Sequence, residues 1–99
     1  MRIWLHPDAR VELREARNWY HLRSPLSAIA FAHEVETAVS RIEGTPTQFP
    51  LAEQRARKLV LQRFPFNIFY LAGESQIVIV AVAHQKRRPG YWSSRVTAT

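Results

Sequence analysis

Arg57, Lys58, Arg63, His84, Lys86, Arg87, Arg88, Tyr91, Trp92 and Arg95 all fall in the second half of this chain. Their types could act on a phosphate or grip a macromolecular target. Cleavage of RNA by its own 2′-hydroxyl needs a general base, a general acid and cations that stabilise the charge building on phosphorus. A histidine such as His84 moves protons near neutral pH. Arginines and lysines supply the electrostatic part, arginine in bidentate form. Tyr91 or Trp92 could stack on a splayed base. The inventory is complete, but no fixed spacing ties its members together. Each residue also has a structural use: His84 can anchor a strand end, Arg57 can guard a sheet edge, and Tyr91 and Trp92 can close over a core.

Other chemistries lack their parts. His6, His21, His33 and His84 share no ligand spacing, and cysteine is absent, so neither a metal site nor a cofactor is expected. Three glycines in no common run cannot form a phosphate loop. Ser93 and Ser94 have no acid near them in sequence, which argues against a hydrolase triad. The only acid between residues 55 and 95 is Glu74, in a turn. Designs built on paired carboxylates are therefore not expected.

The charge is divided unevenly. The 99 residues carry a net +6 with a sequence pI near 10.8. Residues 1–54 hold six arginines against seven acids, a net −1, while residues 55–95 hold eight cations against one acid, a net +7. Such a field favours an anionic partner: nucleic acid, an acidic protein segment, or both. No apolar stretch approaches the ~18 residues of a membrane span. The start "MRIWLHPDAR" has no signal-peptide core. With no cysteines, the expectation is a cytoplasmic protein without membrane contact.

These residues need a scaffold, and the patterning proposes one. "RIWLH" (2–6) alternates as a short strand, and Pro7-Asp8 opens a helix to about Leu22 with Ala9, Leu13, Ala16 and Tyr20 on one stripe. Ser24-Pro25 stops that helix and caps a second, about Pro25 to Glu43, whose stripe is Ala28, Phe31, Val35, Ala38, Val39 and Ile42. Gly44 is placed to end it. After a proline-containing loop (45–56), strands are expected at 57–64, 66–72 and 76–83, the last two joined by a turn at Gly73-Glu74-Ser75. Residues 77–83 are apolar on both faces, so this strand should be central. The reading is a single α+β domain, residues 1–99, in the order β-α-α-β-β-β. A helical hairpin covers one face of a small, largely antiparallel sheet. The second face is left to a partner or to Tyr91 and Trp92 folding back after Pro89-Gly90.

The chain resembles the RelE/ParE superfamily of toxins from type II toxin–antitoxin (plasmid stabilisation) systems. The likeness lies in "RKLVLQRFPFNIFY", in the apolar strand ending "AVAHQKRRPGYW", and in "HPDARVELREARNWYHLRS", and so spans nearly the whole chain. It implies a cytosolic toxin silenced by a cognate antitoxin, whose C-terminal segment, acidic on charge grounds, wraps it in a hetero-oligomer. The tail looks more like the ParE branch, whose members act on DNA gyrase. The RelE branch, which cuts mRNA on the ribosome, would use His84, Arg63 and Tyr91 as catalytic residues. Arg57, Lys58, Lys86, Arg87, Arg88, Trp92 and Arg95 would then bind target or nucleic acid. A third reading is an inactive domain that only binds its antitoxin.

Overall fold

The computed structural model describes residues 2–97 and places the elements in the order β1 (Arg2–Leu5), α1 (Pro7–Arg23), α2 (Pro25–Gly44), β2 (Arg57–Val60), β3 (Phe66–Ala72), β4 (Gln76–His84) and α3 (Ser93–Thr97). The sheet order is β1-β4-β3-β2. β4 is thus internal, parallel to β1 and antiparallel to β3. Every residue from Ile77 to Ala83 is buried, as a strand apolar on both faces requires.

The helical hairpin forms where its punctuation lies. His6 Nδ1 accepts the Asp8 amide, and Pro7 takes the first helical position, where no amide donor is needed. Ser24 ends α1 by donating its amide to the Tyr20 carbonyl, and its hydroxyl accepts the Ser27 amide of α2. Gly44 is not the cap the sequence suggested. It stays helical, and Thr45 closes α2 by donating its amide and hydroxyl to the Arg41 carbonyl. A hydroxyl residue with both donors on one carbonyl makes a left-handed glycine unnecessary.

The hairpin packs Ala9, Ala16, Phe31, Val35, Ala38 and Ile42 onto Leu59, Ile68, Tyr70, Ile77, Ile79 and Val82. Each fully buried large side chain here contributes roughly 1.5–3 kcal/mol. Tyr20, Phe31, Phe64 and Phe66 pack with edge-to-face or tilted rings, their centroids between 5.0 and 6.4 Å apart. Tyr70 is buried, and its hydroxyl donates to the Pro46 carbonyl at 2.6 Å.

One strand boundary also changes. The first strand of the C-terminal half stops at Val60, not Phe64, because the Glu34 carboxylate of α2 takes the amides of Gln62 and Arg63. Those donors are no longer available to a ladder. The edge of β2 is covered by its own upstream loop: Leu51 bridges to Arg57, and the Lys58 amide donates to the Pro50 carbonyl. The sheet's second face is covered by the tail, one of the two coverings expected. Trp92 and Val96 cover it, packing with Ala56, Val78, Val80, Ala81 and Ala83. The short helix α3 that carries Val96 was not expected from its polar sequence, Ser-Ser-Arg-Val-Thr.

Candidate functional site

The C-terminal half of β4 creates a local problem. Pairing with β1 ends at Ile79, yet β4 runs on to His84. Beyond Ile79 no strand of the described residues lies beside that edge, and its buried backbone groups need partners. Glu12 of α1 supplies one: its Oε1 accepts the Val82 amide at 3.0 Å. Arg95 of α3 supplies another, donating to the Val80 carbonyl at 3.0 Å. The two side chains also grip each other in bidentate form, both N–O distances being 2.9 Å. The Tyr91 hydroxyl donates to Glu12 Oε2 at 2.6 Å, and Asp8 lies 3.6 Å from Arg95 Nε. One carboxylate therefore ties α1, β4 and the tail together.

The turn after β4 is fixed by its histidine. His84 Nδ1 accepts the Lys86 amide at 3.1 Å, and the His84 carbonyl accepts the Arg87 amide at 3.0 Å. With Nδ1 accepting, the proton of the neutral ring sits on Nε2. The ring stands edge-on to Phe66 at 5.2 Å. Arg87 then lays its guanidinium over Tyr91, 3.8 Å from the ring centroid.

Two clefts meet at His84. One, of about 390 Å³, lies between α1 and the end of β4, and Glu12, Glu15, Trp19, Tyr20, Phe66 and Arg87 line it. The other, of about 170 Å³, lies on the tail side, lined by Lys58, Asn67, Gln85, Arg87, Arg88 and Tyr91, with Glu53 at Gly90. Gly90 has φ +72, and a Cβ there would come within 3.0 Å of Glu53 Oε2. The turn that carries the basic residues is thus a glycine position on both conformational and steric grounds. The Glu53–Arg55 turn is itself unusual, because Gln54 and Arg55 hold φ values of 56 and 65 without being glycines. Among the described residues no group of His, Asp and Glu could hold a metal ion.

The model of the ParE toxin of type II toxin–antitoxin systems (parDE) matches residues 3–89, from β1 through the basic turn. The chain belongs to the ParE toxin family. A solved chain of the chromosomal ParDE TA system from P. aeruginosa shares the fold, with a TM-score of 0.74. That alignment covers 85% of this chain and 95% of the other at 19% identity. No curated protein sequence gives a significant match. This is a ParE-like toxin of a type II toxin–antitoxin system, with the α+β fold of that family.

Within this ParE fold the expected site residues separate. Arg57 and Lys58 do not share a face, because neighbours along a strand point to opposite sides. Arg57 lies opposite Tyr70, on the helix side, and donates to the Phe49 carbonyl at 2.8 Å. Lys58 lines the tail-side cleft. Trp92 does not offer a surface to a target: it is 1% exposed and packs 4.6 Å from the Phe69 ring. Arg95 is likewise held inside the fold by Glu12. Arg63, in the bend after β2, is exposed and lines neither cleft at His84. The missing carboxylate is also corrected. Glu12 and Glu15 reach the region from α1, about 70 residues away in the chain. Their positions one α1 turn apart, beside the apolar stripe, are the only sequence signal that could have found them.

The Tyr91 phenol has an altered acidity. Burial, the hydrogen bond to Glu12 and the charge of Glu12 together raise its pKa far above 10.0, against the opposing pull of Arg95 and Arg87. Burial raises Tyr20 and Tyr70 in the same direction. A phenol raised in the folded state keeps its proton while the unfolded chain loses it. The stability it contributes is complete below the unfolded value of about 10 and disappears as pH climbs through the folded value. We expect the denaturant midpoint to stay level up to about pH 9 and to fall steeply above pH 10. In Tyr91→Phe that alkaline slope should be shallower. Equilibrium unfolding from pH 8 to 11 checks it; an unchanged slope would mean that Tyr91 is not a source.

Proposed function

We propose that this chain inhibits growth by poisoning DNA gyrase and is neutralised by a cognate antitoxin bound to it as a hetero-oligomer. The observation that carries the reading is membership of the ParE family across residues 3–89. Two features of the site support it over RNA cleavage. The Tyr91 hydroxyl donates to Glu12 and its pKa is raised, so it stays protonated near neutral pH and offers no base form. Arg63 is not gathered with His84 and Tyr91 in either cleft. The antitoxin's contact segment would be acidic, to complement the net +7 of residues 55–95.

The purified toxin should block supercoiling by gyrase and accumulate cleaved DNA, and addition of the antitoxin should reverse both. The double variant Arg63→Ala, His84→Ala should remain toxic when expressed without antitoxin. Full supercoiling at saturating toxin would exclude gyrase as the target. Loss of toxicity in a folded double variant, together with cut mRNA on ribosomes, would favour the endoribonuclease instead. Harmless expression of the unaltered chain would favour an inactive, antitoxin-binding domain.

A further inference from the structure

The tail-side cleft collects positive charge from two separate parts of the chain. Lys58 comes from β2, and Arg87 and Arg88 come from the turn after β4. Among the described residues, none of these three has a carboxylate within 4.0 Å. Arg87 is held in place by stacking on Tyr91, which Glu12 anchors in turn. The turn itself is pinned by both hydrogen bonds to His84. Cations fixed before binding lose less freedom when a ligand arrives.

Charged and polar residues outnumber apolar ones in the cleft's lining, and its two aromatic rings are already engaged, Tyr91 by Arg87. Phe69 is stacked on Trp92, and Ala83 is 4% exposed. Asn67 and Gln85 bond to each other at 3.3 Å and add polar groups. A protein segment that orders on binding normally seats apolar side chains in pockets. A nucleic-acid backbone needs only converging cations and donors. At about 170 Å³ the cleft has room for a phosphate and part of its sugar. We infer that it holds a backbone phosphate of nucleic acid, with Lys58, Arg87 and Arg88 as its cations. Glu53, the one carboxylate among the described residues lining this cleft, weakens the grip. The inference deepens the proposed function, and rests on it, only in the source of the phosphate: the DNA on which gyrase acts.

The test uses the purified chain alone, so it stands or falls separately from gyrase inhibition. Fluorescence anisotropy is followed with duplex DNA, single-stranded DNA and RNA oligonucleotides of one sequence, across a salt series. Lys58→Ala with Arg88→Ala should weaken binding at least tenfold and lower the salt slope by up to about one, because the cations share one phosphate. Glu53→Gln should tighten binding. Neither Lys58 nor Arg88 belongs to the core, so the thermal midpoint should not move, and this separates lost contacts from lost folding. Tighter binding of duplex DNA supports DNA as the source; tighter binding of RNA supports the cleft with RNA as its source. A double variant with unchanged affinity and slope overturns the inference. So does a polyglutamate peptide that displaces the oligonucleotide at equal charge concentration, which would make this an acidic-peptide site. If gyrase is not inhibited while oligonucleotide binding holds, only the gyrase reading falls.

Discussion

Glu12→Ala is expected to destabilise the domain by about 3–5 kcal/mol, the range for removing one partner of a largely buried ion pair. The side chains of Glu12 and Arg95 are each 13% exposed, so some water reaches them, and the lower end of the range is the better expectation. The loss has several parts. Arg95 keeps its charge in the fold: burial opposes it, but the hydrogen bond and charge of Glu12 more than compensate. Without Glu12 only the smaller contributions of Tyr91 and Asp8 remain. The Val82 amide and the Tyr91 hydroxyl lose their acceptor at the same moment. Unsatisfied buried donors cost about 1–3 kcal/mol each. In a domain of this size each kcal/mol moves the melting temperature by about 4–8 °C. The melt should therefore fall by more than 10 °C on the order-of-magnitude scale of that relation. Glu12→Gln keeps an acceptor and should lose less. Glu12→Leu combined with Arg95→Met should recover part of the loss, because it removes both charges together. A Glu12→Ala melt within a degree or two of the parent would show that the tail is not held by this carboxylate.

The scaffold was largely legible because its signals are local. Pro7, Ser24 and Pro25 punctuate the helices where the backbone can use them, and the apolar run from Ile77 to Ala83 could only be an internal strand. The errors arise where a distant side chain takes over a backbone group. Glu34 ends β2 four residues early, and nothing near Gln62 signals it. Glu12 meets Val82 across 70 positions, so the second half of the chain looked to have only the turn residue Glu74 when its tail in fact rests on a carboxylate of α1. Adjacent basic residues misled in another way. Arg57 and Lys58 are neighbours in sequence, but the pleat sends them to opposite layers. Lys58, Arg87 and Arg88 belong together only because β2 and the end of β4 flank β3 in the sheet.

Trp92→Ala carries the second large expectation, about 3–5 kcal/mol, as for other buried aromatic truncations. Trp92 is among the largest fully buried side chains of the domain and lies on the face of the sheet opposite the hairpin. Its neighbours there are mostly small: Ala56, Ala81, Ala83, Val78 and Val80. Alanines cannot extend to refill the space, so the cavity term should be near its upper range. Total stability for a domain of this length is roughly 5–15 kcal/mol, so the variant would be marginal. The two sides of the sheet make the effect diagnostic. The hairpin-side core contains none of these residues, and it should persist while the tail detaches. The expected signature is a lowered unfolding midpoint with increased binding of a hydrophobic dye and far-ultraviolet circular dichroism close to that of the parent. Trp92→Phe, which preserves contact with Phe69, should lose much less. Because Glu12 anchors the same tail through Tyr91 and Arg95, the two alanine variants should not be additive. Once Trp92 has been removed and the tail is loose, removing Glu12 should cost far less than it does alone. Additive losses would mean that ion pair and aromatic lid stabilise the fold independently, and that the tail does not dock as one unit.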